Sequence, residues 1–213
     1  MDVTLVRAAL ATATAALVPA RCAGCDSPGA WLCRDCHDGL EPHTIRSGST
    51  EIRGAGAHEG PLRHAIHRFK YREERGLAAE LGGLVADLLV ADIARGHRCD
   101  ALIPVPLHPE RARDRGYDQT ALLAESVAAA TGLPVLAAVR RIRHARPQVE
   151  LDRAERARNV DGAFVGCAGS LDGLRVAVID DVATTGSTCA AVASSARACG
   201  AGSVRAYVVA IDE

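Results

Sequence analysis

Chemistry-bearing residues gather most densely in the run from Val176 to Thr188. It reads as an apolar stretch, the adjacent acids Asp180 and Asp181, a small hydroxyl-rich segment (Ala183, Thr184, Thr185, Gly186, Ser187, Thr188), and then a helical pattern. Backbone N–H groups at a helix N-terminus, joined by Thr and Ser hydroxyls, suit a phosphate dianion. Two carboxylates cannot bind that phosphate. They accept hydrogen bonds from vicinal sugar hydroxyls and help to hold a hydrated divalent cation. Phosphate donors and sugar acceptors a few residues apart match a ribose 5-phosphate. Acids that merely cap the next helix are the plain alternative, and the length of the whole run argues against it.

A second group follows Ile103-Pro104-Val105-Pro106-Leu107, a short apolar run closed by prolines. Arg111, Arg115 and Gln119 are spaced by four, so a helix through them would turn several donors toward a pyrophosphate. Asp114 and Asp118 share that spacing, and a solvated salt-bridge face is the alternative. A basic segment with Arg143, Arg146, Gln148, Leu151, Arg153, Arg156, Arg158 and Asn159 suits a lid that closes over a leaving group. A local nucleic-acid patch is the competing use, diluted by Glu150, Asp152 and Glu155. Lys70, within Phe69-Lys70-Tyr71, is the only lysine in a chain whose basic residues are otherwise arginine. A compact, flexible cation has been kept at that position, as a site cation or as a solvated helix-end charge.

The third group is Cys22-x2-Cys25-x7-Cys33-x2-Cys36, two thiolate pairs that one tetrahedral Zn²⁺ could bind. Pro28 and Gly29 supply a turn in the short central gap, and His37 could replace Cys36. Four protein ligands leave no open position, which makes such a metal structural. A redox or disulfide use of the same cysteines is the alternative.

These groups need elements to hold them. Val3, Val6, Leu10 and Leu17 recur at helical spacing and predict a docked amphipathic helix rather than an export signal. Residues 41–60 are rich in Gly, Ser and Thr, as a linker or edge strand would be. Leu62, Ile66 and Phe69 predict one helix, and Leu77 through Leu88 another. Strand and helix then alternate: strand at 101–105, helix at 110–131, strand at 135–139, strand at 175–179, helix at 188–199, strand at 204–211. That alternation implies an α/β fold, a mostly parallel sheet flanked by helices on both faces. The expected division is a helix and four-cysteine knot over 1–45 and a main domain over 46–213.

Bulk properties narrow the function. A chain of 213 residues with 48% hydrophobic content buries one real core. Its net charge of -1 and 3% aromatic content leave direct nucleic-acid binding disfavoured. No stretch reaches the roughly 18 apolar residues of a membrane span. We expect a cytoplasmic protein, with its oligomeric state, homo-oligomer included, left open.

The run from 176 to 188 resembles the phosphoribosyl pyrophosphate (PRPP) motif of type I phosphoribosyltransferases. With Cys22 to Cys36, Phe69-Lys70-Tyr71, Pro104 to Leu107, Arg111, Arg115 to Gln119, Gln148, Leu151, Arg156-x-x-Asn159 and Gly162-Ala163-Phe164, the chain resembles the ComF family. The resemblance implies a type I phosphoribosyltransferase fold behind an N-terminal zinc finger. It implies Asp180 and Asp181 at the ribose hydroxyls, residues 184–188 at the 5-phosphate and Val105, Pro106 and Leu107 beside the pyrophosphate. Lys70, Arg111 and Arg115 would then steady the leaving group, with Mg²⁺ accompanying PRPP. Thr184 stands where 6-oxopurine salvage enzymes usually carry an aspartate, so hypoxanthine or guanine salvage is not implied. Asp118 stands where the family often has asparagine. The implied reaction is transfer of phosphoribose to a base or amine, in competence-related DNA uptake or nucleotide metabolism and alongside proteins of those processes. A PRPP-sensing regulator and a DNA-handling accessory protein remain the alternatives.

Overall fold

Apolar residues run consecutively through Val176–Ile179 in β6 (Arg175–Ala183) and Ala206–Ile211 in β7 (Ser203–Ile211), so residues of both alternating sets are buried. A strand covered on both faces must carry helices on both. Ala177, Ile179, Tyr207 and Val209 enter one core; Val176, Val178, Val204, Ala206 and Val208 enter the other. The computed structural model describes residues 20–71, 74–107, 117–142 and 162–212.

The sheet has five strands in the order β1 (His43–Ser47), β2 (Thr50–Ala57), β7, β6, β3 (Ala101–Pro104). All neighbours are parallel except the β1–β2 hairpin, which supplies the antiparallel edge. The 41–60 stretch is therefore mostly this hairpin. One face of the sheet carries α2 (Gly60–Tyr71), α3 (Leu77–Ala94) and α4 (Gln119–Thr131); the other carries α5 (Ser187–Ala198). Helix α3 is buried on most of its surface, as a helix apolar nearly all round must be. It closes on α4 at Gly82, where a Cβ would lie 2.4 Å from the Ser126 Cβ. The short α1 (Arg34–Asp38) belongs to the cysteine knot. No helix among the described residues is long and apolar enough to cross a membrane.

This is the mostly parallel sheet flanked by helices that the alternation implies, with three local corrections. First, no helix runs unbroken from 110 to 131. Asp118 is extended (φ -96°, ψ 110°) and its carboxylate accepts the Ala121 N–H at 3.1 Å, which starts α4 at Gln119. Gln119 thus lies beyond a break from Arg111 and Arg115, which fall outside the described residues. Second, Val135 makes only a single parallel bridge to Leu102, and the strand here is β4 (Val139–Arg141), paired antiparallel with β5 (Phe164–Gly166). Third, β6 continues past Ile179 to Ala183, so both acids sit on the strand. The expected N-terminal helix and the 143–159 lid also fall outside the described residues.

Candidate functional site

Because β2, β7, β6 and β3 are parallel, their carboxyl ends open on one side of the sheet, where open α/β folds bind ligands. A cleft of about 290 Å³ lies there. Its wall includes Lys70, Val105, Pro106, Leu107, Asp180, Asp181, Ala183, Thr184, Gly186, Ser187 and Thr188. The structure thus brings together the acid pair, most of the hydroxyl loop, the proline-closed loop and the lone lysine. A cavity of similar size, about 280 Å³, lies at the amino ends of the strands among Leu89, Ile93, Arg98 and Arg175, without an acid–hydroxyl arrangement.

Consecutive strand residues point to opposite faces, so Asp180 and Asp181 divide the cleft between them. Asp181 turns toward α2, where Lys70 Nζ meets its Oδ1 at 2.8 Å. Asp180 turns toward α5: its Oδ1 accepts the Asp181 N–H at 2.9 Å and its Oδ2 faces the buried Cys189 thiol at 3.9 Å. Desolvation, and then the neighbouring Asp181 charge, push the Asp180 carboxyl up to about 8. The same burial, with both carboxylates next to it, raises the Cys189 thiol well above its ordinary value.

Gly186 lets the chain turn from β6 into α5. It adopts φ +71°, and a Cβ there would lie 2.2 Å from Ile52 Cδ1 in β2, so the hairpin floors the loop. Thr185 Oγ1 and Ser187 Oγ are 2.9 Å apart, which gathers two hydroxyls at the N-terminus of α5. On the other side, the Val105 N–H donates to the Ile179 carbonyl at 2.9 Å and Thr120 Oγ1 donates to the Val105 carbonyl at 2.7 Å. The first turn of α4 thereby fixes the Val105–Leu107 loop. Asp118 acts here as an acceptor of the Ala121 N–H, a role aspartate fills as well as asparagine. Tyr117 donates its hydroxyl to the Phe69 carbonyl and sets its ring 6.0 Å from that of Phe69. These contacts hold the last turn of α2 and deliver Lys70 to Asp181.

Five described cleft residues were missed from sequence: His58, Thr120, Arg141, Cys189 and Asp212. His58 and Asp212 immediately follow β2 and β7, so the strand-end position was the one signal that could have found them. Arg111 and Arg115 lie outside the described residues.

Away from the cleft, the Sγ atoms of Cys22, Cys25, Cys33 and Cys36 all lie within 4.8 Å of one another. Tetrahedral zinc thiolates, at a Zn–S distance of about 2.3 Å, require sulfurs roughly 3.8 Å apart, so the set is compatible with one structural zinc. Burial works against the Cys22 thiolate, yet N–H donation from Cys33, Cys25 and Gly24 outweighs it and brings the thiol down to about 6. Cys36 goes the other way, raised by burial and by its three sulfur neighbours. The knot packs on α2 at Gly24, where a Cβ would be 2.7 Å from Pro61 Cβ and 2.8 Å from Cys36 Sγ.

No family model matches the chain. It is similar to competence protein F of Haemophilus influenzae, with 36% identity over 134 residues, covering 60% of this chain and 58% of that protein. It is also similar to the DNA utilization protein YhgH of Salmonella typhimurium, with 31% identity over 150 residues, covering 69% of this chain and 66% of that one. The chain therefore spans 58% and 66% of the lengths of these two relatives. Among solved structures, glutamine PRPP amidotransferase from B. subtilis, complexed with ADP and GMP, overlaps 62% of this chain and 25% of its own at a TM-score of 0.41 and 22% identity. Leishmania donovani UMP synthase overlaps 81% of this chain and 27% of its own at a TM-score of 0.33 and 19% identity.

Proposed function

The chain belongs to the ComF family, and on that premise we propose that it binds PRPP with Mg²⁺ and transfers phosphoribose to a base or amine, releasing pyrophosphate. The observation that carries this reading is one cleft in which the Thr184–Thr188 turn, at a helix N-terminus, stands beside two strand-borne carboxylates. Amides and hydroxyls of the turn would hold the 5-phosphate. Asp180 and Asp181 would accept the ribose hydroxyls and stabilise positive charge growing at C1. The Val105–Leu107 loop, with Arg111 and Arg115, would receive the pyrophosphate. Lys70 is paired with Asp181. It would pass to the leaving group once sugar hydroxyls take its place. Mg²⁺ bound with PRPP would supply charge neutralisation at the pyrophosphate, and the two aspartates are oxygen donors suited to hold it.

The test is calorimetric titration of Mg-PRPP into the wild type and into Asp180→Asn and Asp181→Asn. A hydrogen bond to a charged group contributes about 1.5–3 kcal/mol, so each exchange should weaken binding by about tenfold or more. Equal affinities in all three proteins would refute the assignment.

The relatives' names concern competence and DNA utilization, and we carry that setting to this chain as its physiological context. Those names describe DNA handling rather than a transfer reaction, which favours one second reading, a PRPP-binding regulator that does not turn its ligand over. Pyrophosphate release in the presence of an acceptor separates the two.

A further inference from the structure

Across the floor of the cleft the strands run β3, β6, β7, β2. The loop assigned to pyrophosphate therefore stands at one end, the acid pair follows on β6, and His58 and Asp212 stand at the other end, after β2 and β7. If pyrophosphate leaves C1 toward β3, an in-line nucleophile must approach from the β7 and β2 side. Both residues there are held by backbone pairing. The His58 N–H donates to the Ile211 carbonyl at 2.7 Å, and the Asp212 N–H donates to the Ala183 carbonyl at 2.8 Å. His58 Nδ1 lies 3.5 Å from Asp212 Oδ1, and the histidine side chain keeps 23% of its surface open.

Among the described cleft residues, His58 is the imidazole, a side chain that can accept a proton at one ring nitrogen while the other donates to a carboxylate. Among the described residues, the other charged groups facing the cleft are Lys70, Arg141, Asp180 and Asp181. In the reading above, the two aspartates are engaged by the ribose.

We propose that His58 takes the proton of the incoming nucleophile, that Asp212 positions it, and that the second substrate attacks through an N–H group of a nucleobase or amine. This rests on the PRPP reading. In the step, the acceptor nitrogen's lone pair forms the bond to C1. The C1–O bond breaks, and its electron pair leaves on pyrophosphate. The acceptor's proton moves to His58 Nε2, while Asp212 stabilises the imidazolium through Nδ1–H; the proton then passes to water.

The experiment uses the full chain and measures two quantities: Mg-PRPP affinity, and pyrophosphate release with a panel of nucleobases, ammonium and glutamine. The expected result is an acceptor that speeds release above the water rate. With that acceptor, His58→Gln should lower kcat about 100-fold or more, within the range of general-base catalysis, while leaving the PRPP KM within about threefold. Asp212→Asn should lower kcat with the same KM pattern, and Asp212→Glu should restore most of it. Wild-type kcat in His58→Gln would overturn the proposal while leaving the PRPP reading standing. So would a wild type that binds Mg-PRPP but neither responds to any panel member nor shows a shifted His58 imidazole resonance in its presence. A wild type that fails to bind Mg-PRPP would remove both readings together.

Discussion

Asp180 is strongly altered by its surroundings, and the direction of its change has two consequences. Its folded-state carboxyl is raised to about 8, so between the ordinary carboxylate range and that value the native state holds a proton that the unfolded chain has lost. Stability of the ligand-free protein should therefore fall as pH rises through this window, and Asp180→Asn should flatten the dependence; urea unfolding at pH 5 and pH 8 measures it. Ribose hydroxyls donate to the ionised form, so PRPP binding at pH 7 should expel up to about one proton. Calorimetry in buffers of different ionisation enthalpy should show that release in the wild type and its loss in Asp180→Asn. Gly186 offers a steric test. Its φ of +71° and the Ile52 side chain standing where a Cβ would go predict that Gly186→Ala costs about 1–3 kcal/mol, read from the denaturation midpoint. The acid pair and hydroxyl loop were legible because their chemistry is contiguous in sequence. His58 and Asp212 were not, since only the parallel pairing of β2 with β7 brings them together.

The elements owe their placement to a few buried polar contacts. Asp92 on α3, 2% exposed, receives Arg53 from β2 and the Tyr207 hydroxyl from β7 at 2.9 Å. Burial alone would raise its carboxyl, but hydrogen bonds from Arg53 and Tyr207, with the charges of Arg53 and Arg205, hold it below the ordinary value. That contribution is complete above the unfolded carboxylate pKa and is lost as pH falls through the depressed native value. Asp92→Ala should strand a buried arginine and cost about 3–5 kcal/mol in chemical denaturation. Helix and strand periodicity disclosed α2, α3, β3, β6, α5 and β7. The start of α4 was misread because spacing by four continues through Asp118, although its carboxylate breaks the helix by capping Ala121. The sequence pattern ends this strand at Ile179, where hydrophobicity stops; pairing of Asp180 with Val208 and Val182 with Ala210 carries the strand further.

At the scale of the whole molecule, the cysteine knot joins the main core, since Cys22, Ala23 and Leu32 share one cluster with Leu62, Phe69 and Leu77. Its spacing was plain in the sequence, but its seat on α2 was not, because Gly24 and Pro61 meet only in three dimensions. We expect about one zinc per chain by elemental analysis. Cys25→Ser or Cys36→Ser should lower the metal content and the melting temperature together; full metal loss at an unchanged melting temperature would argue against a structural role. Lys70 sits at the far end of the same helix, so loosening the knot should also weaken the ligand cleft. The most direct measurement of the central claim is a crystal structure of the full chain with Mg-PRPP bound. The account predicts the 5-phosphate on the amides and hydroxyls of residues 184–188, with the ribose hydroxyls on Asp180 and Asp181. A phosphate bound elsewhere, with that turn and both aspartates untouched, would contradict it.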